Sequence, residues 1–175
     1  MSVYFGGSRN LHWSVVPLVR SVVSAVAASG QALQVGCQRG ADAQVITAWL
    51  SVRRSSLVVF AVAPFSSAPE YVRDADLCGA MVHYSAGGSV APIPARFLLR
   101  SIAAFQGCES AVFFSPGSGS LAVARECVRA GLPVYAFSET PPARIPSTVG
   151  AWLPAVFFGF ACWQWFASVD QPALF

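Results

Sequence analysis

The chain of 175 residues is long enough for one α/β domain with its own core and too short for two full domains and a linker. Hydrophobic residues make up 55% of it and charged residues only 11%, a composition that favours a sheet buried on both faces or an oligomer interface. The formal net charge of +3 is too small to predict nucleic-acid binding by the surface as a whole.

The basic residues and the cysteines indicate which ligands, metals and disulfides to expect. All eleven basic residues are arginine, whose planar guanidinium suits phosphate, although a base-composition bias in the coding DNA explains the same pattern more simply. The cysteines form no C-x-x-C pair, and His12 and His83 do not stand at metal-ligand spacing. We therefore expect reduced, buried thiols in a cytoplasmic protein, with no disulfide, no metal and no cofactor. The cysteines are Cys37, Cys78, Cys108, Cys127 and Cys162.

The first part of the chain alternates short apolar runs with segments of helical periodicity. After an initial strand and a Gly-Gly turn, apolar residues from Val15 to Val26 recur at helical spacing, and Gly30 ends that helix. The uninterrupted apolar run 57–62 is typical of a central parallel strand. The predicted strands are 2–5, 32–35 and 57–62, and the predicted helices are 15–29 and 41–50.

The middle of the chain is less regular. Residues 64–88 contain scattered prolines and acidic residues, which predicts a lid-like loop with one edge strand at 81–84. Pro92 or Pro94 then opens a helix with Phe97 on its apolar face. Apolar strands at 111–114 and 133–137 flank a further helix at 121–130.

The C-terminal part is rich in aromatic residues. Residues 145–169 carry no charge and are long enough to cross a bilayer, but Gly150, Pro154, Gly159 and Gln164 interrupt the run. We therefore prefer a buried pair of aromatic strands over a membrane segment. The aromatic residues around Trp163 and Trp165 are interpreted as core or subunit interface, with a stacking platform for bases as the alternative.

Alternating strands and helices predict a doubly wound, mostly parallel α/β sheet in three layers, with the aromatic strand pair at its end. The expected organisation is a phosphate-binding domain over residues 1–140, an extension packed on it over 141–170, and a tail over 171–175. In such sheets ligands lie beyond the carboxyl ends of the strands, where the winding reverses. We expect the loops after the first strand and after the strand 111–114 to flank that reversal.

Three glycine-containing loops between strands and helices predict a phosphate site. Each aims free backbone N–H groups and a positive helix end at an anion, although a tight connection capped by serine gives the same pattern. The loops are Gly6-Gly7-Ser8-Arg9, the segment 36–42 and the segment 115–120. The candidate binding residues are Gly6, Gly7, Ser8, Arg9, Gly36, Arg39, Gly40, Asp42, Arg96, Ser115, Gly117, Ser118, Gly119 and Ser120.

The charged candidates have alternative roles. Arg9 and Arg39 would add charge-assisted contacts at the rim of the site. Asp42 either favours the dipole of its own helix, which we prefer, or accepts a ribose hydroxyl or orients Arg39. Arg96 and Arg100 form either a solvated helix face or a set of contacts to a polynucleotide backbone.

Several of these motifs together resemble the DNA-processing protein A (DprA/Smf) family. Ser-Gly-Ser-Leu at 118–121, followed by Ala124 and by Gly-Leu-Pro-Val-Tyr-Ala at 131–136, is similar to that family's signature. The loops at 7–9 and 36–42 resemble its opening loop and its Ala-Arg-Gly-Ile-Asp segment, and Pro-Ala-Arg at 94–96 stands where the family has an arginine-rich helix start. Val123 departs from the family's usual threonine.

The resemblance covers residues 2–138 and implies a Rossmann-like domain. For the family it implies binding of single-stranded DNA and loading of a recombinase. For the wider superfamily, which includes Lonely Guy-type phosphoribohydrolases, it implies nucleotide ligands. Neither Val123 nor Ala124 is acidic, so the carboxylate of those hydrolases has no counterpart here.

We therefore expect a DprA-like, non-enzymatic homodimer that binds single-stranded DNA or a nucleotide, in the cytoplasm and without a membrane segment. The first alternative is an enzyme that cleaves an N-glycosidic or phosphate bond of a nucleotide, with Asp42, Glu126 or the acidic stretch 70–76 as acid or base. The second is an interaction or sensing module that uses the aromatic C-terminal region.

The last five residues carry one further pattern. Gln171, Leu174 and Phe175 resemble the short peptide with which bacterial proteins dock on the replication sliding clamp. An apolar tail folded on its own domain is the alternative that we prefer.

Overall fold

A computed structural model describes residues 1–88 and 92–167 of the chain. Eight strands in these ranges form one sheet, and five α-helices pack on it. The strands are β1 Ser2–Gly7, β2 Ala32–Val35, β3 Leu57–Phe60, β4 Met81–His83, β5 Ser110–Phe114, β6 Val134–Phe137, β7 Gly150–Phe157 and β8 Phe160–Ala167. The helices are α1 Val16–Ala28, α2 Ala41–Val52, α3 Glu70–Leu77, α4 Ile93–Phe105 and α5 Ser118–Arg129.

The sheet has the strand order β4-β3-β2-β1-β5-β6-β8-β7. The first six strands in this order are parallel, and β8 and β7 continue the sheet as an antiparallel pair. The chain winds outward from β1 to β4 and then returns to β5 on the other side of β1. The winding therefore reverses between β1 and β5, which confirms the predicted doubly wound fold.

Helices cover both faces of the parallel strands. Val3 and Phe5 of β1 belong to a core shared with α1, α2 and α3, whereas Tyr4 belongs to a second core shared with α4 and α5. Because consecutive strand residues point to opposite faces, a strand covered on both sides must be apolar throughout. This explains the uninterrupted apolar runs and gives the three layers that the sequence predicted.

Two local predictions were wrong. The segment 64–88 is not a lid-like loop, because it contains α3, which buries Val72 and Ala75 against the sheet. The short length of α3 and the prolines before it hid its periodicity. In addition, α5 begins at Ser118 rather than at Leu121, so the serine-glycine segment forms the first turn of the helix.

The aromatic C-terminal strand pair is confirmed. β7 and β8 form a hairpin joined to β6, with Trp152 and Trp165 edge to face at a centroid distance of 5.4 Å. Trp152 and Trp165 are buried, and the Nε1–H of Trp163 donates to the Ser138 carbonyl at 3.1 Å. These contacts favour the core interpretation over a base-stacking platform. Trp13, in contrast, is 77% exposed.

The described part of the apolar run 145–169 does not form an apolar helix, since most of its residues belong to β7 and β8. Among the described residues, no helix has both the length and the apolar character needed to cross a membrane. Gln171, Leu174 and Phe175 lie outside the described residues, so the sliding-clamp hypothesis stays a prediction.

Candidate functional site

The three predicted loops meet at the reversal of the sheet. The Ser8 N–H donates to the Phe114 carbonyl at 3.0 Å, which joins the ends of β1 and β5. The Ala41 N–H at the start of α2 donates to the Ser8 carbonyl at 2.9 Å. The Ser120 hydroxyl in α5 donates to the Gly7 carbonyl at 2.7 Å. All three loops are therefore tied to the same two residues, Gly7 and Ser8.

Two glycines allow this close approach. At Gly7 the backbone has φ +152°, and a Cβ atom would overlap the Phe114 carbonyl and crowd Ala41. At Gly40 the backbone is in the left-handed region, with φ +83°, and a Cβ atom would overlap the Ser8 carbonyl. Any other residue at these positions would push the loops apart, which is a physical reason for glycine at both.

A cleft of about 620 Å³ opens between these loops and α4. Its apolar wall comes from Ile93, Phe97 and Leu98 of α4, and Tyr4, Arg100 and Ser101 also line it. Nine of the predicted binding residues line the same cleft: Gly6, Gly7, Ser8, Arg9, Asp42, Gly117, Ser118, Gly119 and Ser120.

The amino end of α5 is open toward the cleft. Gly117 precedes the helix and supplies no side-chain cap, and the first turn contains no acidic residue. The first backbone bond of the helix runs from the Leu121 N–H to the Gly117 carbonyl. Within the described residues, the N–H groups of Ser118, Gly119 and Ser120 have no acceptor, so they and the helix dipole are available to an anion.

The remaining predicted residues lie beside or behind this cleft. The Ser115 N–H is not free to bind a ligand, because it donates to the Phe137 carbonyl at 2.8 Å and links β5 to β6. Gly36 and Gly40 line neither this cleft nor its neighbour. Arg39 and Arg96 line the neighbouring hollow instead.

That hollow has a volume of about 700 Å³ and shares Arg9, Gln38, Ile93 and Phe97 with the main cleft. Arg96 is half-buried there, and its Nη2 donates to the Val62 carbonyl at 3.1 Å. Arg9 and Arg39 are exposed, and neither they nor Arg96 form a salt bridge to any described residue. Arg9 therefore brings a guanidinium without an acidic partner to the main cleft, and Arg39 and Arg96 bring two more to the neighbouring hollow.

A buried ion pair forms part of the cleft lining. Arg100 Nη1 lies 3.2 Å from Asp42 Oδ2, and the exposed fractions of the two side chains are 4% and 9%. The same Oδ2 accepts from the Gln38 N–H at 3.1 Å. Asp42 thus holds Arg100 rather than Arg39, and Arg100 is not part of a solvated helix face. Its spacing of four residues from the buried Ala104 was a signal that it points inward.

The environment shifts the pKa values of this pair. Burial raises the pKa of the Asp42 carboxyl, although the Arg100 guanidinium and the Gln38 N–H oppose that shift. Burial acts to lower the pKa of Arg100, but the charge and hydrogen bond of Asp42 together with the nearby Tyr4 and Cys37 outweigh it, and the pKa rises overall. Arg100 therefore remains charged beside the cleft.

The other carboxylates considered for catalysis lie elsewhere. Glu126 pairs with Arg125 at 2.8 Å and with Arg129 at 3.2 Å along α5. In the acidic stretch 70–76, the one carboxylate with a hydrogen bond is that of Asp76, which accepts from the Tyr84 hydroxyl. Among the described residues only Asp42 brings a carboxylate to the cleft, and no group of three metal-ligating side chains is present.

Comparisons with solved structures identify the fold. The DNA processing protein A from Streptococcus pneumoniae matches with a TM-score of 0.65 and 18% identity over 83% of this chain and 52% of that protein. Its counterpart from Helicobacter pylori matches with a TM-score of 0.65 and 16% identity, over 83% and 67% of the two chains. The Moco carrier protein of Chlamydomonas reinhardtii has a TM-score of 0.52 and 12% identity, over 76% and 73%.

No protein-family model matches the chain, and its sequence matches none of the curated proteins. The chain spans about half the length of the Streptococcus protein. At these identities the likeness establishes the architecture alone. The domain described here therefore has the Rossmann-like fold of DNA processing protein A.

Proposed function

We propose that this protein binds a phosphate group of single-stranded DNA or of a nucleotide in the cleft between β1, β5 and α4. The observation that carries the proposal is the first turn of α5, whose N–H groups open into the cleft without a capping side chain. A helix amino end with free N–H groups binds phosphate through hydrogen bonds and through the helix dipole.

The arginines that line the two hollows support an anionic ligand. Arg9 lines both hollows, and Arg39 and Arg96 line the second. Because these side chains have no acidic partner among the described residues, their charges are available to phosphates. The small net charge of +3 is therefore compatible with a locally positive site.

Single-stranded DNA is the first ligand to test. The related Helicobacter protein binds single-stranded DNA, and this chain shares its fold and has a positively charged rim. A free nucleotide is the second ligand, because a cleft of about 620 Å³ with an apolar wall also suits one base and one sugar phosphate. Native mass spectrometry of the gently purified protein would distinguish the two.

A negative charge at the amino end of α5 tests whether the N–H groups of Ser118, Gly119 and Ser120, here called the phosphate seat, bind the ligand's phosphate. In Ser118→Asp the carboxylate occupies the positive end of the helix and repels phosphate, while it stabilises the helix itself by about 0.3–1 kcal/mol. We expect binding of labelled single-stranded DNA to be lost and the melting temperature to be unchanged or higher. Ser118→Ala is the matched control. It should bind DNA within about threefold of the wild-type affinity, because the backbone N–H groups, which this substitution keeps, make the main contacts to phosphate. Equal binding by Ser118→Asp would refute the seat.

Removing a rim charge tests the arginines. Arg9→Ala should weaken binding at every sequence and reduce the slope of log K against log salt by about 0.7 for a single strand. Arg20→Ala is the control, because Arg20 is exposed on α1 and lines neither hollow. Similar losses in both variants would show that binding follows the overall charge and not this cleft.

Catalysis, homodimer formation and cytoplasmic location stay predictions. If nucleotides incubated with the protein release products, and Asp42→Asn stops the release, the enzymatic alternative replaces simple binding. Light scattering after size-exclusion chromatography measures the oligomeric state directly, with a mass near twice 18.5 kDa expected for a dimer.

A further inference from the structure

Asp42 has one carboxylate oxygen that the protein does not use. Its Oδ2 accepts from both the Gln38 N–H and Arg100, whereas Oδ1 has no hydrogen-bond partner among the described residues. The Asp42 side chain retains 9% exposure and lines the cleft. A fixed acceptor is therefore left facing the place where the ligand would lie.

The ion pair restricts which group this acceptor receives. A second phosphate beside Asp42 would meet a negative charge, and an ammonium group would meet the positive charge of Arg100, which is itself held in the cleft lining. The Nε of Arg100 has no partner among the described residues either, but it is buried and does not face the cleft. A neutral hydrogen-bond donor therefore fits Asp42 Oδ1, and a hydroxyl is the simplest such group.

The position of Asp42 relative to the phosphate seat identifies which hydroxyl this is. α2 and α5 are anchored to neighbouring residues, since Ala41 bonds to Ser8 and Ser120 bonds to Gly7. The two helix starts therefore lie close together on one side of the cleft. A ligand with its phosphate at α5 brings the group next to that phosphate toward Asp42, and in a nucleotide that group is the sugar.

We propose that Asp42 is a specificity residue that accepts a hydrogen bond from a free hydroxyl of the ligand's sugar. The inference rests on the proposed phosphate-binding function. It predicts that ribonucleotides bind more tightly than nucleotides whose sugar has no free hydroxyl. It also predicts that a nucleotide inside a DNA strand, where both the 3′ and the 5′ oxygens are esterified, is a weaker ligand for the cleft than a free ribonucleotide.

Nucleoside 5′-monophosphates with the same base and different sugars test this on the unaltered protein. Calorimetry would compare the ribonucleotide, the 2′-deoxynucleotide and the 2′,3′-dideoxynucleotide, with inorganic phosphate as the probe of the seat alone. We expect the ribonucleotide to bind about tenfold more tightly than the dideoxynucleotide, the loss typical of an acceptor left without its donor. The affinity of the 2′-deoxynucleotide shows which hydroxyl Asp42 binds: it should match the ribonucleotide if this is the 3′ hydroxyl and the dideoxynucleotide if it is the 2′ hydroxyl.

A double variant locates the effect at Asp42. Asp42→Ala with Arg100→Met removes both charges, since removing one alone would leave the other buried and unpaired. We expect this variant to bind the ribonucleotide and the dideoxynucleotide with equal affinity, each measured relative to the variant's own affinity for inorganic phosphate. If the wild type binds both nucleotides equally but still binds phosphate, the inference is wrong and the phosphate seat stands. If neither nucleotides nor phosphate bind, both the inference and the proposed function fail.

Discussion

Gly36→Ala is expected to break the buried ion pair, because a methyl group there has no room. A Cβ atom at Gly36 would overlap the Arg100 guanidinium and crowd Asp42 Oδ2. Gly36 does not have a left-handed backbone, so alanine is compatible with the chain conformation itself. The cost of the substitution therefore comes from displacing the Arg100 guanidinium and the Asp42 carboxylate.

The size of that cost follows from the burial of the pair. The side chains of Arg100 and Asp42 are 4% and 9% exposed, so moving one away leaves the other charge in a poorly solvated place. Breaking a buried pair in this way costs about 3–5 kcal/mol. A domain of this kind has about 5–15 kcal/mol of total stability. If the wild-type protein lies near the lower value, Gly36→Ala should leave it close to unfolded.

Urea denaturation followed by circular dichroism would measure the change in the free energy of unfolding. Gly119→Ala is the matched control, because Gly119 lies in the first turn of α5 with no atom near its missing Cβ. That substitution should leave stability unchanged or raise it by up to about 1 kcal/mol, since alanine favours a helix. The same substitution, glycine to alanine, is thus expected to lower the free energy of unfolding at position 36 and not to lower it at position 119.

The reasoning about Arg100 is refuted if Gly36→Ala is as stable as the wild type within about 0.5 kcal/mol. A double-mutant cycle gives a second check. In an Arg100→Ala background the overlap with the guanidinium no longer exists and only the Asp42 carboxylate has to move, so Gly36→Ala should then cost less. An undiminished cost would show that some other neighbour of Gly36 is responsible.

Three further changes have definite expectations. Trp152→Ala should destabilise the protein by about 3–5 kcal/mol in urea denaturation, whereas the exposed Trp13→Ala should have little effect, and equal losses would contradict the hairpin packing. Ser120→Ala removes the hydrogen bond to the Gly7 carbonyl and should cost about 1 kcal/mol; an unchanged melting temperature would show that this bond does not hold the loops together. Burial raises the pKa of the Cys162 thiol to about 11, so its alkylation, followed by mass spectrometry, should be slow at pH 8 and increase up to about pH 11; fast reaction at pH 8 would contradict that shift.

Much of the fold was predictable because its signals are local. The apolar runs at 32–35 and 57–62 gave strands, the periodic valines before Gly30 gave α1, and both agree closely with the structure. The three glycine loops were predictable for the same reason, since each follows an apolar strand and precedes a helix. α3 was missed because eight residues with two buried positions produce too weak a periodic signal.

The candidate site was predictable only in part. The loops at Gly7 and Ser118 were found from their composition, but Arg100 was not, because an arginine on a helix is usually solvated. Its role depends on Asp42, which lies 58 residues away in the chain. Gly36 was expected to contact the ligand, whereas its observed role is to leave room for that pair.

By itself, the sequence determined the elements and the local chemistry of the three loops, because strand burial, helix periodicity and glycine turns are properties of neighbouring residues. Only the tertiary structure decided that Asp42 pairs with Arg100 and that Ser120 bonds to Gly7. These contacts join segments far apart in the chain, and they form because the crossover between β4 and β5 brings both helix starts to the same edge of the sheet. The cleft exists only as a consequence of that crossover.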